Sequence, residues 1–338
     1  MKITFKPVNL DYKAELLKIV AKEDIRLIGM DYYRHRPTGI NQHTTIVEGK
    51  IEKEGEVVVD FKVFKKLPLK QELTLELVGT ELHITSPTFN YKLPIQDFEI
   101  PIWEVKSQES ILTIDAKELN KMIKEVIYAW NKEEESYPGI LFEFDEVFSV
   151  VATDGKQLAV RRSNLKPKYK FNANVCPITL KMLKNFKGKV DIFVDDNFIA
   201  FVNGNVKVIG VLEFTDFPIY KVVIPDEYVI SFKVKRKELL EAIEKINEFP
   251  HTMYGDIVFW EIREEELELK NNNVSITLKK SKTPTMNIAF DSKFLEKMLS
   301  SIDTEEIEIS LSEWDDLGVL KISFDNFLYL LMPVRIND

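Results

Sequence analysis

The chain has 338 residues, 45% hydrophobic and 11% aromatic, with a formal net charge of −9; this excludes a disordered chain and implies packed cores in two or three domains. A lone cysteine, Cys176, excludes an intrachain disulfide framework. No run reaches the ~18 apolar residues of a membrane span and the start, MKITFKPVNLDYK, lacks a signal peptide's apolar core, so a soluble cytoplasmic protein without membrane contact is expected.

The predicted elements repeat. Each unit is a short strand, a lysine-bearing amphipathic helix and about three further strands. The first begins at residue 3 (ITFKPVNLDYKAELLKIV) and the second at 57 (VVVDFKVFKKL), with the alternating run ELTLELVGTELHITS after it. At 111, ILTIDAKELNKMIKEVI has Asp115 as a helix cap and Leu119, Met122 and Ile123 at helical spacing. GILFEFDEVFSVVATDGKQLAV follows as a hairpin turning at Thr153-Asp154-Gly155. At 171, FNANVCPITLKMLKNF leads into a meander with a turn at Asn203-Gly204. The fifth unit, VISFKVKRKELLEAIEKI at 229, puts Leu239, Ala242 and Ile243 on one face. The sixth, MNIAFDSKFLEKMLSSI at 286, has Asp291 as its cap. These starts lie 54 to 60 residues apart. One unit cannot bury both its sheet face and its helix, but two can, with their helices side by side. The pattern therefore predicts an α+β fold of three tandem domains, 1–108, 109–226 and 227–338. Each would hold two strand-helix-strand units with paired helices against antiparallel sheets.

Chemistry is conspicuous by omission. His35, His43, His83 and His251 lack metal-ligand spacing, and Cys176 has no cysteine partner. There is no P-loop, dinucleotide fingerprint or nucleophile elbow. No catalytic residue, metal or cofactor is expected, and the protein is read as a non-enzyme.

Lysine recurs three or four positions apart in the helical segments, which lines one face. The candidates are Lys18 with Lys22; Lys62, Lys65 and Lys66; Lys117, Lys121 and Lys124; Lys181, Lys184 and Lys187; and Lys293 with Lys297. The opposite faces are apolar and meet the sheets, so the lysines face outward. Six such helices on the inside of an arc, with the acidic strands outside, suit a polyanion held through its phosphates without sequence reading.

Four segments carry a resemblance. GILFEFDEVFSVVATDGKQLAV, FTDFPIYKVVIP (214–225), IAFDSKFLEKML and YLLMPVRI (329–336) resemble parts of the bacterial sliding clamp, the β subunit of the replicative DNA polymerase. They match its second-domain hairpin, its F-P-x-Y…I-P linker, its third-domain helix and its C-terminal M-P-[MV]-R signature. The resemblance implies a homodimeric head-to-tail ring of three-domain subunits around duplex DNA. It implies as partners a clamp loader, the replicative DNA polymerase and other proteins with short clamp-binding peptides. It also implies a pocket for those peptides at Tyr137, Thr153, Gly155, Lys156, Gln157, Leu158, Pro218, Val223, Leu330, Met332, Pro333, Val334 and Arg335.

Two departures stand out. Lys156-Gln157 occupy the place of the family's usual His-Arg or similar pair, which removes a planar guanidinium and changes the expected peptide preference. In the first domain, AKEDIRLIGMDYYRHRPTGINQHTT is read as having lost the R-P-x-x-P-I-L loop and the strand after it. That loss motivates an alternative function, a clamp-fold regulator or decoy that binds replication partners through the pocket without encircling DNA.

Overall fold

Period-two alternation governs most of the chain, and among the described residues the strands it produces assemble into four sheets. The computed structural model describes every residue except 7–9, 11, 33–39, 70, 132–138, 250–255, 314–317 and 336–338, and the side chains at 32 and 40. Two units emerge: Met1–Asn120 with Val175–Phe214, and Lys121–Asn174 with Thr215–Asp338.

In the first unit a five-stranded sheet runs, edge to edge, Gly49–Lys53, Lys2–Phe5, Leu73–Val78, Glu81–Thr85, Asn90–Pro94. An eight-stranded sheet runs Leu112–Asp115, Lys189–Val194, Phe198–Asn203, Val206–Val211, Ile40–Val47, Ile25–Tyr32, Leu16–Ala21, Gly55–Asp60. Its middle seam pairs Val208 with His43, so one sheet crosses the division expected at residue 108. Helix α1 (Phe61–Phe64) is capped by Asp60, whose carboxylate accepts the Val63 N–H at 2.9 Å, and it buries Phe61 and Phe64. Helix α2 (Ala116–Val126) begins where Asp115 accepts the Lys117 N–H at 2.9 Å. Helix α3 (Pro177–Lys181) continues as a 3₁₀ turn, Met182–Asn185. Its Thr179 presses so closely on Gly210 that a Cβ there would lie 2.5 Å from the hydroxyl.

The second unit repeats the plan. Its eight-stranded sheet runs Phe171–Val175, Ile140–Phe144, Phe148–Thr153, Gln157–Arg162, Phe327–Leu331, Leu320–Phe324, Glu306–Leu311, Ile230–Lys235. The smaller sheet runs Ser275–Lys279, Glu266–Lys270, Ile257–Ile262, Met286–Asp291. Helices α4 (Arg236–Asn247) and α5 (Ser292–Ser301) pack together, tied where the Ser292 hydroxyl donates to Asn247 Oδ1 at 2.6 Å. Asp291 caps α5, accepting the Lys293 N–H at 2.9 Å.

The α+β class, the antiparallel pairing and helices α2, α4 and α5 agree with the sequence reading. The first repeat does not. Leu16–Ala21 is a strand paired on both sides, with Ile25–Tyr32 and with Gly55–Asp60, rather than a lysine-bearing helix. Five of its six residues are buried, and a short run apolar on both faces cannot be told from a helix by periodicity. The strand expected to be missing after residue 21 is present as Ile25–Tyr32, followed by Ile40–Val47. Among its described residues the segment has strands and no helix.

Tyr12 is buried in this region. Its ring stacks on His43 with centroids 3.8 Å apart and tilts against Phe61 at 4.8 Å. Gly29 is required beneath it, because a Cβ there would come within 2.3 Å of the ring. Burial lowers the pKa of His43 to about 4, so its imidazole is neutral at pH 7 and stacks without a charge to desolvate. Among the described residues, no helix is long and apolar enough to cross a membrane.

Candidate functional site

The hairpin at 148–162 is built around Asp154. Its Oδ1 accepts the backbone N–H groups of Lys156 and Gln157, each at 3.0 Å, and its Oδ2 accepts the Gln157 side-chain amide at 2.8 Å. Such an Asx turn holds the loop without a partner from elsewhere. Thr153 Oγ1 donates to the Gln157 carbonyl at 2.7 Å and accepts the Gly155 N–H at 3.1 Å. Gly155 supplies φ of +85°, which the turn needs and a side chain would resist.

The strand Phe327–Leu331 pairs with the far side of this hairpin, Leu330 opposite Leu158, and the Met332 N–H continues the ladder to the Lys156 carbonyl at 2.9 Å. The facing wall is the segment 217–224, which turns through a 3₁₀ helix at Tyr220–Val223. Buried Glu143 holds that wall. Its Oε2 accepts the Tyr220 hydroxyl at 2.7 Å, while its Oε1 pairs with Lys221 at 2.7 Å. Burial, with the Glu143 carboxylate beside it, drives the Tyr220 phenol pKa far up, so it stays a donor. Leu141, Val151, Leu158, Val160, Tyr220 and Leu330 form the apolar floor.

Between hairpin, linker and last strand lies an open cleft of about 160 Å³. Thr153, Gly155, Lys156, Gln157, Leu158, Pro218, Val223, Leu330 and Met332 line it, as the resemblance implied. Pro333, Val334 and Arg335 do not. The Val334 N–H instead donates to the Ala289 carbonyl at 2.9 Å, laying the tail along the strand Met286–Asp291, and Val334 lines a separate hollow with Phe259 and Trp260. Tyr137 lies outside the described residues. Sequence reasoning passed over Ile219, Tyr220 and Val319, which also line the cleft. Tyr220 was within reach, since it is the tyrosine of the quoted F-P-x-Y motif; Glu143 carried no local signal.

The lysine faces divide. On α2, Lys117, Lys121 and Lys124 are exposed opposite buried Leu119, Met122 and Ile123, with Lys121 paired to Glu125 at 3.8 Å. Lys181, Lys184 and Lys187 are exposed on and just after α3, as are Lys293 and Lys297 on α5, where Lys293 pairs with Asp256. Lys62 on α1 and Lys65 and Lys66 just after it are exposed, and Lys65 donates to the Tyr12 carbonyl at 3.2 Å. Lys18 is a correction. It is 6% exposed, on a strand, with its ammonium 3.1 Å from the Ile100 carbonyl and 3.0 Å from Glu56. Lys22 is exposed, but in the bend between two strands rather than on a helix.

No protein-family model matches the sequence. The chain is 25% identical to the β sliding clamp of Halalkalibacterium halodurans over 353 aligned positions, covering 94% of this chain and 91% of that protein. In fold it is similar to a putative DNA polymerase III β subunit from Eubacterium rectale, with a TM-score of 0.86, 21% identity, and 99% and 100% of the two chains covered. It is similar also to a sliding clamp of Bartonella birtlesii bound to griselimycin, with a TM-score of 0.83, 22% identity, and 99% and 100% covered. The resemblance carried by the four quoted segments is thus borne out across nearly the whole chain.

Proposed function

We propose that this chain, a divergent bacterial sliding clamp, works as one half of a ring that encircles duplex DNA and tethers the replicative polymerase to it. The observation that carries the reading is completeness: the likeness to clamp structures runs over 99% of the chain, the altered first repeat included. Two open sheet edges support closure. Asn90–Pro94 ends the five-stranded sheet and Ser275–Lys279 ends the four-stranded sheet, each with one side unpaired among the described residues. Pairing one edge with the other across two copies gives a head-to-tail homodimer that uses up both edges.

In this reading the domains are 1–108, 109–226 and 227–338, and the exposed lysines of α1, α2, α3 and α5 meet phosphates. The cleft beside Met332 takes short, mostly apolar peptides from the polymerase, the clamp loader and other partners. Leu158, Val223, Leu330 and Met332 supply apolar surface, and methionine adapts to varied side chains. The protein is a non-catalytic processivity factor of the cytoplasm and needs no cofactor.

Topology provides the test. Protein assembled on a nicked circular duplex by a bacterial clamp loader is expected to co-elute with the DNA and to be released when the circle is cut once. Protein that stays bound after the cut is held by contacts and not by encirclement, which contradicts the reading.

A further inference from the structure

The cleft is mostly apolar, and its polar side chains are nearly all committed elsewhere. The Thr153 hydroxyl is spent on the Gln157 carbonyl at 2.7 Å. Gln157 is buried with both ends of its amide engaged, its nitrogen donating to Asp154 at 2.8 Å and its oxygen accepting the Tyr329 hydroxyl at 3.0 Å. The Tyr220 hydroxyl is given to Glu143 at 2.7 Å. The exception is Lys156, which is exposed and makes no ion pair with any described residue. Among the described residues it is the only charged one lining the cleft. The nearest acid in sequence, Asp154, is buried and saturated by the three N–H groups of its own turn.

The apolar surface runs on past the cleft. Ile219 is 76% exposed, Val222 78% and Met332 51%, so aliphatic side chains continue along the rim of the linker wall. A ligand that merely ended in the cleft would leave that rim in water; a chain that continues would cover it.

We infer that the cleft selects a linear peptide with an aspartate or glutamate side chain beside its apolar anchor, positioned to meet the Lys156 ammonium. The inference rests on the peptide-pocket reading and adds the charge that reading leaves open. An arginine here could grip a carboxylate with two parallel hydrogen bonds, whereas a lysine offers a point charge on a flexible stem. The selection is therefore one of sign rather than of geometry, and salt should weaken it.

The test uses the full chain and four fluorescent peptides sharing one apolar core. Three are amidated at the C-terminus and carry Glu, Gln or Lys beside the core; the fourth carries Gln and a free C-terminal carboxylate. Wild type is expected to bind the Glu peptide about three- to fivefold more tightly than the Gln peptide, and the Lys peptide least. Lys156→Gln should erase that preference, and Lys156→Glu should reverse it. Equal binding of the Glu and Gln peptides by wild type, or a preference that survives in Lys156→Gln, overturns the inference alone. Preference only for the free carboxylate overturns the side-chain assignment. Failure of every peptide to bind, or binding indifferent to Met332→Asp, overturns the pocket reading and the inference with it.

Discussion

Reversing Lys181, Lys184 and Lys187 together to glutamate is expected to weaken binding to duplex DNA by roughly tenfold or more and to flatten its dependence on salt. Each ammonium–phosphate contact releases condensed counterions. Losing one takes about 0.9 from the slope of log affinity against log salt, so losing three takes about 2.7 per chain. The segment should tolerate the change. Pro177, Thr179, Leu180 and Leu183 are the buried residues of α3 and its 3₁₀ extension, while the three lysines are exposed. Exposed substitutions away from special contacts usually cost little stability, so the melting temperature should hardly move. An unchanged salt slope with the charges reversed would mean that no phosphate path follows α3.

Removing Met332 through Asp338 is expected to cost at least about 2 kcal/mol of peptide binding, roughly thirtyfold, and to leave the fold standing. Met332 lines the cleft while its N–H reaches the Lys156 carbonyl at 2.9 Å, so truncation takes away a wall and loosens the hairpin loop opposite. The strand Phe327–Leu331 stays paired on both sides, with Gln157–Arg162 and with Leu320–Phe324, which is why the sheet should survive. Fluorescence anisotropy of a bound peptide measures the loss. Binding that persists after truncation would place the peptide site elsewhere.

The parts of this protein that were legible in its sequence are those whose cause is local. The hairpin at Thr153-Asp154-Gly155 and the turn at Gly204 need positive φ, and Gly155 and Gly204 adopt it at +85° and +61°. Helices α2, α4 and α5 are long enough for their apolar spacing to repeat, and Asp291 caps α5 as its position suggested. Helix α1, four residues long, is too short for a period to repeat; it was read from its place after a strand in the repeating unit, and it is present there. Leu16–Ala21 failed for a different reason: two neighbouring strands decide its conformation, and tertiary pairing overrides a weak local preference.

Long-range pairing also hid part of the architecture. Nothing near Val206–Val211 announces that it will pair with Ile40–Val47, more than 150 residues away in sequence, so a sheet running across an expected domain boundary was not foreseeable. Buried polar anchors are of the same kind. Gln42 donates to the Pro101 carbonyl at 2.8 Å and accepts the Trp103 N–H at 3.0 Å, fixing the segment around them. At the cleft beside Met332, the motifs named most of the lining. They could not show that Glu143 secures the linker, or that the Gln157 amide is locked at both ends while Lys156 pairs with no described acid.

The most direct measurement of the central claim is the mass in solution by sedimentation equilibrium over a wide concentration range. Closure of a ring from two copies predicts a species of twice the 39.4 kDa chain mass that persists on dilution. A monomer at every concentration would contradict closure, and would leave a clamp-fold protein that engages replication partners without encircling DNA.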